Sequence, residues 1–455
     1  MSQEQMEGGA YSRITPEIQA LTRQWDKNAH IDRSLYEKYD VKRGLRDATG
    51  RGVLTSLTRI SEVKGYTVDG QDTIPCPGVL YYRGYDVQEL VQGALADRRF
   101  GFEEVFYLLL MGQLPTEAEL ARFRDMLAEY RQLPKNFVRD VVMKAPTRDM
   151  MNTLARSILT LYCYDDKAND ISLPNVLRQC MQLTVNTPQL VIYGYQAWRS
   201  TQGEGLYLHA PRPELSAAEN ILYLLREDKQ FTELEARALD AALILHADHG
   251  SNNSTFTNHV TTSTGTDTYS AMTASLCSLK GPRHGGANAK VVQMMADLRQ
   301  HTADPADESQ VRAYLTDLLA GRAFDGQGLI YGLGHAVYTL SDPRAEVLRD
   351  FVERLAAEKG PEEPLAAYRT VERVGRQLLE DRTGCPVATN VDFYSGLLYG
   401  MLGLPQELFT PLFAVARMAG WSAHRMEELG QGGKIIRPAT KCVEKRRAYV
   451  PMAQR

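Results

Sequence analysis

The sequence lacks paired cysteines, membrane-length apolar runs and an excess of basic residues. Its six cysteines are widely spread and form no Cys-x-x-Cys pair, which indicates neither a zinc ribbon nor a disulfide framework. No apolar run approaches the length of a membrane span, and the acidic first thirty residues do not resemble a targeting peptide. The net charge of −4 argues against nucleic-acid binding. These absences predict a cytoplasmic protein with reduced thiols that binds neither membranes nor nucleic acid.

Common catalytic signatures are missing as well. The chain contains no G-x-G-x-x-G, no G-x-x-x-x-G-K-[ST], no G-x-S-x-G and no H-E-x-x-H. Dinucleotide-binding folds, P-loop enzymes, α/β-hydrolases and zincins are therefore disfavoured. With 455 residues, 44% of them hydrophobic, the chain is long enough for a sizeable core in two or three folding units, or in one large unit with an inserted lobe.

The apolar pattern predicts a mostly α-helical protein. Residues 51–86 contain β-forming residues broken by Gly and Pro, which indicates one or two short strands or hairpins. From residue 87 onward, apolar residues recur every three or four positions over helix-length spans, and strand-like alternation is scarce. The sequence therefore predicts an all-α fold with a small N-terminal β element.

Histidines beside glycines or polar residues are the first candidates for chemistry. His246 and His249 lie in the last turn of a helix that Thr232 is predicted to cap, next to the polar run that contains Ser254. A histidine at a helix C-terminus is favourable without any function, and a metal pair is a weaker alternative. His284, in GPRHGGAN, is predicted to precede a helix that starts near Ala287.

His335 follows a loop that contains Gly328, Gly332 and Gly334. For His284 and His335 alike, the alternative is a solvated residue in a flexible turn. A ring held near a helix N-terminus, as predicted for His284, would be neutral and able to donate a hydrogen bond.

One carboxyl group and three guanidinium groups complete the candidate set. Asp392 lies among apolar and aromatic residues, where partial desolvation would raise its pKa; a plain helix cap is the alternative. Arg344 lies in the first turn of a helix capped by Asp342, and Arg417 lies on an apolar helix, so each suits a bound anion. Arg437 is either a third anion ligand or a solvated charge. Together these residues suit a small di- or tricarboxylate, whose geometry the arginine fork matches.

The combined motifs resemble the citrate synthase family over roughly residues 45–440. The residues that carry the resemblance are, in chain order, HADHGSNNSTF, DTYSA, SLKGPRHGGAN, YGLGHAVYTLSDPRA, NVDFYSG, FAVARMAGWSAHR and IIRP. The resemblance implies a citrate synthase-like two-domain helical fold and a homodimer with a shared active site. It divides the chain into an N-terminal extension (1–45), a large domain (46–285 and 404–455) and a small inserted domain (286–403).

The resemblance also implies the reaction and the roles of the residues. The family condenses acetyl-CoA with oxaloacetate and hydrolyses the thioester, with no metal and no cofactor, since acetyl-CoA is a substrate. The implied catalytic residues are His284 toward the thioester oxygen, Asp392 as the base and His335 toward the oxaloacetate carbonyl. The other implied assignments are carboxylate binding by His249, Arg344, Arg417 and, from the other subunit, Arg437; support of His284 by Ser254; and CoA contacts at Gly328, Gly332 and Gly334.

Three alternatives remain at the level of sequence. A 2-methylcitrate synthase differs by one methyl group on the acyl donor, and a methylene in an apolar pocket is worth only about 1–3 kcal/mol. A catalytically silent family member would act as a binding protein, although all three catalytic residues are present. A metal enzyme built on His246 and His249 lacks a further ligand at helical spacing beyond Asp248.

Overall fold

The computed structural model describes residues 12–47, 51–69, 72–360 and 363–455. Residues 1–57 and 58–455 form two separate compact units. In the described part of the first unit, the α-helices are α1 (Pro16–Ala29) and α2 (Ser34–Lys38). The predicted division of the chain into an extension, a large domain and a small domain stays a prediction.

The second unit begins with the small β element that the sequence predicts. Strands β1 (Ser61–Asp69), β2 (Asp72–Tyr82) and β3 (Tyr85–Asp86) form an antiparallel sheet in that order, with a bulge between Lys64 and Tyr66. Beyond this sheet the described residues are helical or irregular, which confirms the predicted all-α class.

Helices and the irregular segments between them make up the remainder of the second unit. Their bounds are α3 (Val87–Ala96), α4 (Phe102–Met111), α5 (Glu117–Glu129), α6 (Met150–Leu161), α7 (Leu173–Thr201), α8 (Ala217–Leu225), α9 (Glu233–His246), α10 (Asn253–Thr262), α11 (Thr268–Lys280), α12 (Ala287–His301), α13 (Glu308–Leu319), α14 (Pro343–Lys359), α15 (Glu363–Thr383), α16 (Val391–Met401) and α17 (Phe409–Gly430). Among the described helices, none is long and apolar enough to cross a membrane.

Helix α17 lies at the centre of the core. It packs against α4, α7, α9, α10 and α11, and it is buried from Ala414 to Arg425. Its buried positions include Trp421 and also the polar side chains of Arg417, His424 and Arg425. Polar groups are costly to bury without partners, so this helix marks the region where function is to be sought.

The sheet packs against the loop that carries His335. A Cβ on Gly65 would lie 2.5 Å from the Val337 carbonyl oxygen, and one on Gly78 would lie 2.1 Å from that of Ser341. The Gly78 N–H also lies 3.3 Å from Ser341 Oγ, to which it donates. Only glycine permits so close a backbone approach, so the β element sets the position of residues 337–341.

Candidate active site

His249 lies in the turn that follows α9. Thr232 and Glu235 form the predicted capping box at the start of this helix, which ends at His246. His249 Nε2 lies 3.2 Å from the Tyr338 hydroxyl, and the two rings of His249 and His335 meet edge to face at 5.3 Å. Burial lowers the pKa of His249 well below its usual value, and the charge of Arg344 acts in the same direction. The structure thus brings two of the predicted histidines together.

The backbone fixes the tautomer of His335. Its Nδ1 accepts hydrogen bonds from the backbone N–H groups of Val337 and Tyr338, each at 3.1 Å. A ring nitrogen that accepts carries no proton, so the proton of the neutral ring is on Nε2. Burial, followed by the charge of Arg344, lowers the pKa of His335 to about 4. At neutral pH, His335 is therefore a neutral donor through Nε2.

His284 contacts Ser254, as predicted. It lies in the turn before α12, which begins at Ala287 as expected. The Ser254 backbone N–H donates to His284 Nε2 at 3.3 Å, and Ser254 Oγ lies 3.0 Å from the same nitrogen. Because Nε2 accepts, the ring proton is on Nδ1. Burial lowers the pKa of His284 to about 4, with Arg417 acting in the same direction.

Asp392 is the second residue of α16 and does not cap it. Asn390 is the cap, and its side chain accepts from the Asp392 backbone N–H at 3.0 Å. Burial raises the pKa of Asp392 to about 6; Asp342 acts in the same direction, while Arg344 and Arg417 oppose it. A carboxylate with this pKa is ionised at pH 7 and is a stronger base than an ordinary aspartate.

Arg344 and Arg417, the two buried arginines of the candidate set, differ in their partners. Arg344 is 3% exposed, and Asp342 accepts from its Nε at 3.0 Å and from its Nη2 at 2.8 Å. Arg417 is 1% exposed; its Nε donates to the His246 carbonyl at 2.7 Å, its guanidinium lies 4.6 Å from the Phe413 ring, and its Nη2 has no hydrogen-bond partner. Burial lowers the pKa of Arg417 to about 10. An incompletely paired buried cation indicates an anion site.

These arginines connect the histidines with Asp392. Arg344 lies close enough to affect the pKa values of His335, His249 and Asp392. Arg417 affects those of His284, His249 and Asp392. The predicted catalytic residues, which span more than a hundred positions of the chain, therefore share one electrostatic environment.

Arg437 lies outside this cluster. It is exposed in the irregular segment after α17, and the neighbouring Ile436 N–H donates to Ser263 Oγ at 3.1 Å. Ser263 follows the C-terminal end of α10, whereas Ser254 is near its start, so the two are about 13 Å apart along the helix. Within one chain, Arg437 is thus placed a helix length from His284.

The predicted CoA-contacting glycines have a clear backbone role. Gly328, Gly332 and Gly334 have φ values of 69°, 85° and 90°, which favour glycine. The Asn390 N–H donates to the Gly332 carbonyl, and the Asn390 side chain donates to the Gly334 carbonyl, each at 2.9 Å. The loop before His335 is therefore tied to the cap of the helix that carries Asp392. The CoA contacts themselves stay a prediction.

His246 is buried beside the Phe413 ring, 4.6 Å away, and neither of its ring nitrogens has a hydrogen-bond partner. Burial lowers its pKa well below the usual value, and the charge of Arg344 acts in the same direction. In the parts of the chain that the structure describes, no three His, Cys, Asp or Glu side chains are gathered so that they could hold a metal ion.

Two residues of the site were not assigned from sequence. Tyr338 stacks on His335 at 4.6 Å and contacts His249, although no role was predicted for it. Asp342 was predicted only as a helix cap, but it also neutralises Arg344 and accepts from the Val391 N–H at 3.2 Å. The cap could be predicted from the Asp-Pro pair, whereas the contact with Val391 could not, because it depends on tertiary packing.

Comparison with known proteins identifies similar chains. A family model described as "Citrate synthase, C-terminal domain" matches residues 47–439. The chain is 36% identical to a citrate synthase of Synechocystis sp., over 89% of this chain and 92% of the relative. It is 31% identical to 2-methylcitrate synthase 2 of Corynebacterium glutamicum, over 91% and 98%.

Solved structures give the same result for the fold. The citrate synthase of Pyrobaculum aerophilum superposes with a TM-score of 0.74 at 31% identity, covering 91% of this chain and 95% of that one. A ternary complex of carboxymethyl coenzyme A and oxaloacetate with citrate synthase from Thermoplasma acidophilum has a TM-score of 0.74 at 27% identity, covering 91% and 99%. The two-domain helical architecture is therefore common to all three chains.

Proposed function

The chain belongs to the citrate synthase family of enzymes, and on that basis we propose that it condenses acetyl-CoA with oxaloacetate and water to give citrate and CoA. The observation that carries the proposal is the buried guanidinium of Arg417, whose Nη2 has no hydrogen-bond partner, in the same cluster as two neutral histidines and a carboxylate of raised pKa. That arrangement suits a small dianion next to an acyl donor.

Asp392 is the proposed base. Its carboxylate takes a proton from the acetyl methyl group, and the electrons of the broken C–H bond move toward the thioester oxygen. His284 Nδ1–H is the proposed donor to that oxygen. An aspartate with a pKa of about 6 is still a weak base for a thioester methyl, so the placed donor is essential; losing one such donor typically costs about 10²–10³ in rate.

His335 acts on the second substrate in this proposal. Its Nε2–H donates to the oxaloacetate carbonyl oxygen, which makes the carbonyl carbon more electrophilic. The nucleophilic carbon of the acetyl enolate attacks that carbon, and the oxygen takes the Nε2 proton of His335 to become a hydroxyl group. Water then attacks the thioester carbon and the C–S bond breaks. CoA leaves as the thiol with the proton that Asp392 took from the methyl group, and a proton of the water returns to His335 Nε2. No resident cofactor or metal enters the proposed steps.

Carboxylate binding is assigned to His249, Arg344 and Arg417. The free Nη2 of Arg417 would donate to one carboxylate, while Asp342 orients Arg344 toward the same cluster. Arg437 is proposed to come from a second copy of the chain in a homodimer. It is exposed, and the neighbouring Ile436 contacts Ser263, which lies about 13 Å along α10 from Ser254. The glycines of the 328–334 loop are proposed to let CoA lie against backbone.

A second candidate is 2-methylcitrate synthesis from propionyl-CoA. It is favoured by the relatives named 2-methylcitrate synthase, which match at 31% and 32% identity. The catalytic steps are the same, and only the pocket for one methyl group differs.

A thiol-release assay with acetyl-CoA and propionyl-CoA tests the proposal. We expect CoA release from acetyl-CoA that depends on oxaloacetate, with a higher kcat/KM than for propionyl-CoA. Reactions without oxaloacetate provide the control for simple thioester hydrolysis. A higher kcat/KM for propionyl-CoA would support the second candidate, and the absence of release from both would support the catalytically silent alternative.

A further inference from the structure

Four titratable side chains form a line from near the surface to the turn that carries His249. Glu428 Oε2 lies 2.9 Å from His259 Nδ1, His259 Nε2 lies 3.1 Å from His424 Nδ1, and His424 Nε2 lies 3.2 Å from Asp248 Oδ1. The side chain of Glu428 is 15% exposed, that of His259 is 4% exposed, and those of His424 and Asp248 are fully buried. We call these residues the carboxylate–imidazole chain; none of them takes part in the proposed chemistry.

The hydrogen bonds of this chain determine how many protons it holds. Both terminal bonds reach carboxylates, so a proton is needed on His259 Nδ1 and another on His424 Nε2. The central bond needs one proton between the two rings. When both carboxylates are ionised, the two imidazoles therefore carry three protons, one more than two neutral rings, and the resulting positive charge lies between Glu428 and Asp248. Burial, followed by His424, lowers the pKa of His259, and Glu428 opposes this effect.

The Asp248 end of the chain is firmly held. Ser61 Oγ donates to Asp248 Oδ2, and the Gly250 N–H donates to the same oxygen at 3.2 Å. The Tyr82 hydroxyl donates to the Asp248 carbonyl at 2.9 Å. Burial opposes ionisation, but His424 and Arg417 hold the pKa of Asp248 below its usual value.

One face of helix α17 holds residues 246–248 at three points, two on their backbone and one on the Asp248 side chain. Arg417 Nε donates to the His246 carbonyl at 2.7 Å, the Gly420 N–H donates to the Ala247 carbonyl at 3.1 Å, and His424 Nε2 donates to Asp248 Oδ1 at 3.2 Å. The helical positions are separated by three and four residues, which places them on one face. Gly420 is required there, since a Cβ would lie 2.3 Å from the Ala247 oxygen.

We propose that His424 and His259 are positioning residues for the oxaloacetate site. By holding one extra proton between two carboxylates, they keep Asp248 against α17. The orientations of Arg417 and His249, which flank the same turn, are thereby fixed before the substrate binds. This inference rests on the proposed function, because it assumes that Arg417 and His249 bind the substrate carboxylates.

Variants of His259 test the role of the positive charge. His424 lies between His259 and Asp248, so a substitution at His259 removes no direct contact of Asp248. In His259→Gln the positive charge is lost, whereas in His259→Arg a permanent cation can donate to both Glu428 and His424. We expect His259→Gln to raise the Kd for oxaloacetate about tenfold, as loss of a supporting contact typically does, and His259→Arg to raise it by much less. The KM for acetyl-CoA should change little in either variant.

Asn258→Ala is the matched control. Asn258 is the adjacent buried residue on α10, and it donates to Ser275 Oγ at 3.1 Å rather than to the carboxylate–imidazole chain. Its loss should lower stability without changing the Kd for oxaloacetate. Binding is measured by isothermal titration calorimetry on folded protein, so the result does not depend on turnover.

The possible outcomes separate this inference from its premise. An unchanged Kd in His259→Gln, or equal weakening in His259→Gln and His259→Arg, would overturn the positioning role. If the His259 variants do not fold, Glu428→Gln, at the more exposed end of the carboxylate–imidazole chain, replaces them in the test. A raised Kd for oxaloacetate in this variant would support the inference, and an unchanged Kd would contradict it. A wild-type protein that neither binds oxaloacetate nor releases CoA would instead overturn the proposed function.

Discussion

At the residue scale, the chemistry depends on which atoms carry protons at neutral pH. His284 and His335 are neutral, and each has its lone-pair nitrogen occupied by backbone N–H donors, so the opposite nitrogen is the donor. Asp392 is ionised, and it has a raised pKa. The sequence predicted these residues and the raised pKa. It could not predict Tyr338 as a partner of both His335 and His249, because that contact joins segments about ninety positions apart.

Replacement of Asp392 by Asn should remove the catalytic base and, with it, the pH dependence of kcat/KM that its ionisation causes. The pKa of Asp392 is raised to about 6, so the wild-type kcat/KM should fall as pH drops through about 6 and the carboxylate becomes protonated. Both histidines have pKa values of about 4 and stay neutral over pH 5–8. Asp392→Asn should lower kcat by about 10²–10⁴, as for other general bases. The kcat/KM of this variant should also lack the decrease on the acid side of pH 6, which we call the acid limb.

Initial rates of CoA release between pH 5 and pH 8 measure this effect. Asp350→Asn is a suitable control, because Asp350 is exposed on α14 and pairs with Arg354 in the next turn. A variant at Asp392 with near-normal turnover, or with an unchanged acid limb, would remove this residue as the base.

At the element scale, helix caps were predictable, and one long helix was not. Thr232 and Asp342 cap helices as their local sequences predict. The extent of helix α7 could not be predicted, because Pro188 lies inside it and its central residues are buried on all sides, so the amphipathic pattern is weak. Helices α16 and α17 are separated where Gly403 adopts a φ of 70° before Pro405.

Alanine substitutions at two loop glycines should differ in their effect on stability. Gly332 and Gly334 both have positive φ values, so each substitution should cost about 1–2 kcal/mol in backbone strain. A Cβ on Gly332 would also lie 2.7 Å from Phe393 Cδ2, whereas one on Gly334 meets nothing within 4 Å. Overpacking should add about 1–3 kcal/mol for Gly332→Ala alone.

Thermal unfolding of the two variants, each compared with wild type, tests this prediction. Gly332→Ala should have the lower midpoint, and it should also lose activity because the loop joins His335 to the cap of α16. Equal midpoints for the two variants would show that the contact with Phe393 does not constrain the loop.

At the scale of the whole molecule, the site is assembled from segments that only the fold brings together. Turn 246–250, the His284 turn, the His335 loop and helices α14, α16 and α17 each supply one or two of its groups. The order of motifs identified the family, but their convergence around Arg344 and Arg417 comes from packing against the β element and α17. The proposed contribution of Arg437 from a second subunit belongs to the same scale.

A crystal structure with oxaloacetate and carboxymethyl coenzyme A tests the central claim most directly. We expect the Asp392 carboxylate, His284 Nδ1 and His335 Nε2 to surround the reacting atoms at about 3 Å. Arg344, Arg417 and the Arg437 of a second copy should contact the oxaloacetate carboxylates. Ligands bound away from these side chains, or Asp392 facing away from the acyl group of the analogue, would contradict the account.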